Sequence, residues 1–270
     1  TDVTNGIIIL LSFIIAIPIF LYEAGGFSGM ASSFASMGKS SHMEFWGVYS
    51  TLDIINFCLP PFLLIMGDAN MYQRFFASKD AKGAKSATKI LIIAVAMAEL
   101  MIITAAWISS SMIPDAEVGK YVLIYASHKF LPTFIGAIMM TTIVGIIIST
   151  ADSFLLVPAT TLMRDIYLNY INPKANEKKI VFLSRVLVLI LGIVAYIVSL
   201  GFARSAGFFE RALYAYTIYG ASITPSLVAA LFWKGATKAG AVSSIITGAV
   251  TTLLWKEAEF IKNIIPSNIY

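Results

Sequence analysis

The chemistry of this chain is concentrated in one run, Gly145-Ile146-Ile147-Ile148-Ser149-Thr150-Ala151-Asp152-Ser153. An aliphatic stretch is followed at once by three hydroxyls and a carboxylate. Carbonyl, hydroxyl and carboxylate oxygens are the donors that a hard cation such as sodium takes. In a helix Ile146, Ser149, Thr150 and Ser153 share a face, because steps of three and four bring side chains together. Ser149 and Thr150 then offer hydroxyls to one point. Where helix bonding is loose, the carbonyl of Ile146 turns toward the same point. Asp152 lies about 100° round from Ser153, placed for a second site or for a balancing charge. The same hydroxyls also suit a purely structural role, bonding back to the carbonyl four residues earlier as is common in membrane helices. Composition by itself favours that second role.

Other residues stand out because they are costly in hydrocarbon. Asp53 and Glu99 fall inside apolar runs, where an acid normally faces a cavity, a partner or an ion path. Asp53 has Ser50, Thr51 and Asn56 close by, enough to satisfy it within one helix face. For Glu99 the plain role is a hydrogen-bonded or protonated carboxyl between two helices. Arg185 lies about one turn into its run and can snorkel to the interface. Leu59-Pro60-Pro61 removes two backbone donors in mid-run, which predicts a kinked or broken helix. Such breaks are a transporter device, because freed carbonyls and helix ends face the solute or ion. Tyr214, Tyr216, Tyr219, Gly220, Ser222, Thr224 and Pro225 make a later run aromatic and hydroxyl-rich without charge, fit to line a wet vestibule.

The elements that must carry these residues follow from composition. Of 270 residues, 58% are hydrophobic and 13% charged, with a mean hydropathy of +0.83. Disorder, collagen and coiled coil are excluded, and the single cysteine, Cys58, excludes a secreted disulfide scaffold. The remaining class is an all-α polytopic membrane protein. About seven spans are expected, over residues 3–22, 45–66, 88–113, 130–158, 180–203, 212–233 and 239–255, within one transmembrane domain covering 1–270. The alternation of a membrane barrel is absent. The net charge of +4 and pI near 9.0 reflect basic cytoplasmic loops rather than nucleic-acid binding. Arg74, Lys79, Lys82, Lys85 and Lys89, then Arg164, Lys174, Lys178 and Lys179, then Lys234 and Lys238, crowd alternate connections. The others carry Lys39; Lys120 and Lys129; Arg204 and Arg211. This asymmetry puts Thr1 inside and Tyr270 outside, opposite to a seven-helix receptor. Residues 23–44 and 161–179 are the longest expected loops. The start Thr1-Asp2-Val3 has no Met and no basic leader, so Ile7–Leu21 is taken as a span and the chain as a piece of a longer protein. A multi-pass location in the cell membrane, the prokaryotic inner membrane, is expected.

Soluble-enzyme chemistry has little support. His42 and His128 fall in expected outer loops, and metal-ligand spacing, a P-loop and a nucleophile elbow are all missing from the sequence. Gly25-Gly26-Phe27-Ser28-Gly29 follows a span and precedes a Ser-rich loop, so it is not a phosphate cradle. No cofactor is expected.

The run Ser149-Thr150-Ala151-Asp152-Ser153-Phe154-Leu155-Leu156-Val157, followed by Arg164-Asp165-Ile166-Tyr167, resembles the sodium/solute symporter family. Further similarities follow in order: Thr1-Asp2, then Gly67 with Gln73-Arg74-Phe75-Phe76-Ala77-Ser78-Lys79, then Gly220, Pro225 and Phe232-Trp233-Lys234, then Thr237-Lys238-Ala239-Gly240-Ala241. The resemblance implies a LeuT-type fold of inverted repeats, represented in part. It implies sodium ligation by the Ile146 carbonyl and the Ser149 and Thr150 hydroxyls, and a second sodium position at Asp152 and Ser153, where a carboxylate departs from the hydroxyl of other members. It places the substrate near Pro61, Ile65 and Met66 and against Tyr216 and Tyr219. Members often carry aromatics where Ile65 and Met66 stand, so neither proline nor sugar specificity follows.

The expected function is a sodium-coupled symporter that imports a small organic solute by alternating access. Na+ is the coupling ion, the bilayer is the medium, and nucleic acid is not a partner. The alternative is a transporter-like sensor domain of a larger signalling protein. A membrane-embedded enzyme would need Asp53, Glu99 and Asp152 to converge from three segments. By the family's fold this chain carries half of the sodium site, so the 270-residue chain alone is expected not to transport. Sodium-dependent counterflow by that chain in liposomes would overturn this.

Overall fold

The computed structural model describes residues 2–115, 119, 121–203 and 208–257. The expectations for Thr1, Lys120, Arg204 and Tyr270 therefore lie outside the described residues. Every described element is helical: α1 Asp2–Glu23, α2 Gly26–Ser36, a short 3₁₀ turn Ser40–Met43, α3 Thr51–Gly67, α4 Ala69–Phe76, α5 Ala81–Ser111, α6 Val122–Phe130, α7 Thr133–Thr161 with a π-helical continuation Leu162–Ile171, α8 Glu177–Ala203, α9 Phe208–Ser222, α10 Thr224–Phe232 and α11 Lys238–Glu257. Six helical stretches are long and apolar enough to cross a membrane: Thr4–Glu23, Thr51–Phe76, Ala81–Ser111, Thr133–Ile171, Glu177–Gly201 and Phe209–Phe232. The seventh expected span is α11, which runs 20 residues. It is less apolar because Ser243, Ser244, Thr247, Thr251 and Thr252 interrupt it.

The chain packs as two compact units, residues 1–48 with 77–156 and residues 49–76 with 157–270. The core of the first is built by α1, α2, α5, α6 and α7. Phe13, Phe20, Met30, Phe34, Ile108 and Met139 are its fully buried large side chains. Ala16, Ala105 and Ala126, each 0% exposed, let helix backbones approach closely. A buried hydrogen bond of 3.0 Å joins the hydroxyls of Ser12 on α1 and Thr142 on α7.

The glycine-rich stretch after α1 is a turn into a helix, not the first part of a loop. Gly25 and Gly26 adopt φ of 74° and 69°, a region costly for other residues. Four residues separate Met30 and Phe34, so they fall on one face of α2 and both enter the core. The indole of Trp107 donates to the His42 carbonyl at 2.9 Å, fixing the 3₁₀ turn to α5. The expected loop 23–44 is thus largely structured. Its Ser and Gly content hid a two-residue apolar stripe.

Helix α5 starts earlier than residue 88 because Asp80 caps it, accepting from the Gly83 N–H at 2.6 Å. Its 31 residues extend about 46 Å at 1.5 Å per residue, against about 30 Å of hydrocarbon. Lys82, Lys85 and Lys89 therefore ride on helix turns beyond the apolar core.

Helix α3 starts later than expected, at Thr51, and this changes the meaning of Asp53. Its carboxylate accepts from the Ser50 N–H at 2.9 Å and the Ser50 hydroxyl at 2.6 Å, while Ser50 Oγ accepts from the Asp53 N–H at 3.2 Å. This reciprocal pair is a capping box. Asp53 is a helix-start residue, not an acid buried in mid-span. The helix then passes unbroken through Pro60 and Pro61 and ends at Gly67. The expected break lies at Asp68, between α3 and α4. The run 212–233 is also divided, at Ile223, where Pro225 cannot donate to the preceding turn.

In the second unit α9 packs against α3 and α11. Glycines set the spacing. A Cβ on Gly220 would stand 2.7 Å from Leu63 Cβ, and one on Gly248 would run into the Ala221 carbonyl. Gly220→Val is expected to lower stability by about 1–3 kcal/mol through overpacking. The check is a thermal melt in detergent, and an unchanged midpoint would show that α3 and α9 are not held this closely.

Candidate functional site

On α7 the hydroxyls take the back-bonded arrangement. Thr150 Oγ1 donates to the Ile146 carbonyl at 2.9 Å, and Ser153 Oγ donates to the Ser149 carbonyl at 3.2 Å. Both bonds span four residues and lie along one strip of the helix. Ile146, Ser149 and Ser153 are half-buried, whereas Thr150 and Asp152 are exposed. The Ser149 hydroxyl and the Asp152 carboxylate make no side-chain bond among the described residues. The helix therefore brings Ile146, Ser149, Thr150 and Ser153 together and leaves Asp152 on another face.

This bonding does not exhaust the oxygens. A hydroxyl that donates its proton keeps two lone pairs, and a carbonyl that accepts one bond keeps a second. Thr150 Oγ1 and the Ile146 carbonyl are thus held at 2.9 Å with electron density still available to a cation. The Ser149 hydroxyl lies on the adjacent turn.

Ile146 also lines a groove of 330 Å³ within the first unit. Asn5, Ile8 and Ile9 of α1 form one wall, and Thr141, Gly145 and Ile146 of α7 form the other. The wall is mostly apolar, with Asn5 at one end. Among the described residues no group of three or more His, Cys, Asp and Glu could hold a metal.

The residues expected to meet the substrate lie in the second unit. Pro61, Met66, Tyr216 and Tyr219 are half-buried and Ile65 is exposed. Tyr219 does not offer a free hydroxyl. It donates to the Gly67 carbonyl at 3.2 Å and is approached by the Ala69 N–H at 3.5 Å, bridging the break between α3 and α4. Two neighbours reinforce that break. Thr224 Oγ1 donates to the Leu63 carbonyl at 2.6 Å, and Tyr72 donates to the Met66 carbonyl at 3.1 Å. Gly67 permits this, because a Cβ there would collide with Thr224 Oγ1. Tyr216 is one turn from Tyr219 on the same face of α9.

Three hydroxyls from Tyr72, Tyr219 and Thr224 thus satisfy the last carbonyls of α3. Sequence reasoning missed this latch. Its signal was present, in two hydroxyl-bearing residues beside Gly220 and a glycine at the end of a broken span, but it was read as vestibule lining. Glu99 is exposed on α5 and has no partner among the described residues. The interhelical carboxyl bond expected for it is not formed there.

The family model described as "Sodium:solute symporter family" matches residues 1–248, and the chain belongs to that family. With its six apolar spans it is a multi-pass protein of the cell membrane. Among its relatives is the high-affinity proline transporter PutP of Bacillus subtilis, 29% identical over 98% of this chain and 57% of that protein. The osmoregulated proline transporter OpuE of the same organism is 27% identical over 94% of this chain and 52% of its own length. A sodium/proline symporter of Staphylococcus aureus is 25% identical over 94% and 50% respectively. The chain thus spans about half the length of these curated relatives. They are transporters, not enzymes, by name. No solved structure matches the chain significantly.

Thr224→Val keeps the shape of the side chain and removes its hydroxyl. It should cost about 1–3 kcal/mol, because the Leu63 carbonyl is left without that partner in a buried setting. Thermal melts of Thr224→Val and Thr224→Ser distinguish this from packing, since the serine variant should recover most of the loss. Equal loss in both would remove the hydrogen bond from the account.

Proposed function

We propose that the whole protein is a sodium-coupled symporter that carries a small organic solute into the cell by alternating access. One observation supports this most directly. The Ile146 carbonyl and the Thr150 hydroxyl are held together at 2.9 Å on α7, one residue from the Ser149 hydroxyl, and Ile146 itself lines the groove beside α1. These are neutral, hard oxygens in an apolar helix, suited to a monovalent cation and poorly suited to a divalent one.

In this reading Na+ binds from outside, where it is abundant. Ile146, Ser149 and Thr150 supply part of its oxygen shell. Asp152 and Ser153, on the next turn, supply a second cation position or a balancing charge. Sodium favours the outward-open arrangement only to the extent that it binds that arrangement more tightly. Its inward movement down the membrane potential supplies about 2.3 kcal/mol per charge per 100 mV. Release to the cytoplasm weakens the solute site and completes the cycle. The solute is expected beside the α3–α4 break, where Pro61, Ile65, Met66, Tyr216 and Tyr219 lie. Broken helices at mid-membrane are where transporters place their ligands. The named relatives are proline transporters, so proline is the first solute to assay. Their names also favour a transporter over the sensor alternative.

The test is sodium dependence of solute binding by the full-length protein. Ser149→Ala and Thr150→Ala should each raise the sodium concentration needed for half-maximal binding about tenfold or more, as expected when a hydrogen-bonding oxygen facing a charge is lost. Thr150→Ser should stay near wild type. Unchanged sodium dependence in both alanine variants would remove the site.

A further inference from the structure

A second pocket, a surface groove of 590 Å³, lies on the second unit at the turn between α10 and α11, with Trp233 and Lys238 exposed. Its wall is small and apolar, formed by Ala229, Ala230 and Ala241. Five polar side chains line it, among them Trp233, Lys238 and Ser244. None of these three side chains makes a hydrogen bond or ion pair among the described residues. Of the other two, Ser226 donates to the Ala241 carbonyl at 3.3 Å, which ties the two helices together, and Thr237 accepts from the Gly240 N–H. The indole N–H and the ammonium group can only donate. The Trp233 and Lys238 heads therefore call for an acceptor, and the ammonium for an anion, while the Ser244 hydroxyl can donate or accept.

The surrounding charge points the same way. Between Arg211, near the start of α9, and Lys256, near the end of α11, the only charged residues in the sequence are Lys234 and Lys238. Lys234 and Lys238 stand on either side of the turn. The neighbours facing outward, Leu231 and Phe232, are 59% and 82% exposed, as suits side chains set against lipid. A groove of this size is much larger than an inorganic phosphate. Its alanine wall would be left bare by a small anion and covered by an alkyl chain.

We propose that the α10–α11 turn binds the headgroup of an anionic phospholipid, with the phosphate at Lys238 and the Trp233 N–H and an acyl chain along Ala229 and Ala230. A basic pocket between membrane helices near an interface is the expected setting for such a headgroup. An indole at the same level has an apolar body for the chain and a donor for the phosphate. The turn itself is firmly built, since Thr237 Oγ1 accepts from the Gly240 N–H at 3.1 Å. The site shares no residue with those assigned to sodium and solute.

The experiment is native mass spectrometry of the purified full-length protein titrated with phosphatidylglycerol or phosphatidylcholine. Wild type should retain phosphatidylglycerol preferentially. Lys238→Gln should reduce that retention about fivefold, the effect of one basic residue near the membrane surface. Lys238→Arg should keep it, and Lys179→Gln, on the same unit but elsewhere, should not change it. Trp233→Phe provides an independent variant that removes the N–H together with one ring of the indole and should also weaken retention. Equal retention of the two lipids by wild type, or retention unmoved by both Lys238→Gln and Trp233→Phe, overturns the proposal. Displacement of the lipid by inorganic phosphate at matched concentration would make this a site for a free anion and overturn it as well.

Discussion

In hydrocarbon a backbone donor or acceptor that loses its partner has no water to turn to. The rest of this structure follows from that constraint. Every described element is helical, so most backbone groups are satisfied within their own segment. Where a helix stops at membrane depth, side-chain hydroxyls take over. Tyr219, Tyr72 and Thr224 reach the carbonyls of Gly67, Met66 and Leu63 at the end of α3. The break at Asp68 is tolerable because of them, and Gly67 and Gly220 exist at that level because a Cβ would keep the hydroxyls and helices apart. The Ser109 hydroxyl is an exception, buried with no partner among the described residues.

The same constraint shapes the hydroxyl-bearing strip of α7. A hydroxyl in an apolar helix has one nearby acceptor, the carbonyl four residues back, and Thr150 and Ser153 both use it. Back-bonding orients the oxygen and fixes its distance to the Ile146 or Ser149 carbonyl, and each oxygen keeps lone pairs. In the proposed sodium site, that ordering would lower the entropic cost of closing a shell around an ion.

What the sequence disclosed, and what it hid, divides along physical lines. Long apolar runs with few charges specify membrane helices almost by themselves, so the spans were legible, as was the order of motifs that marks the family. Helix ends were less so. Asp53 counts as an intramembrane acid on hydropathy alone, but a Ser three residues before an Asp is also a capping box, and here the cap decides where α3 begins. The Pro60-Pro61 pair looked like the break, yet α3 runs through it and stops seven residues beyond Pro60, at Gly67, where three side-chain hydroxyls can receive its carbonyls. Helix α2 was hidden because Gly and Ser dominate its composition and only Met30 and Phe34 carry its buried face. The Tyr219–Gly67 and Thr224–Leu63 contacts join residues more than 150 positions apart, a separation no local pattern encodes.

Exposure means something different here from what it means in water. Helix α8 is almost wholly apolar beyond Arg185, and the apolar window of its span is 0% buried. In a soluble protein such a helix would be an aggregation hazard. In a bilayer lipid tails solvate Val181, Leu189 and Ile193 as well as neighbouring helices would, so no hydrophobic drive pulls α8 into a bundle. Helices that do pack closely in this chain use other means. Ala16, Ala105 and Ala126 remove bulk, Ser12 and Thr142 exchange a hydrogen bond, and Gly220 and Gly248 bring α9 against its neighbours. Glu99 inverts the rule for apolar residues, since lipid cannot solvate a carboxylate. Of the exposed groups on these helices, the acids Glu99 and Asp152 are the ones whose position calls for water, an ion or a polar partner.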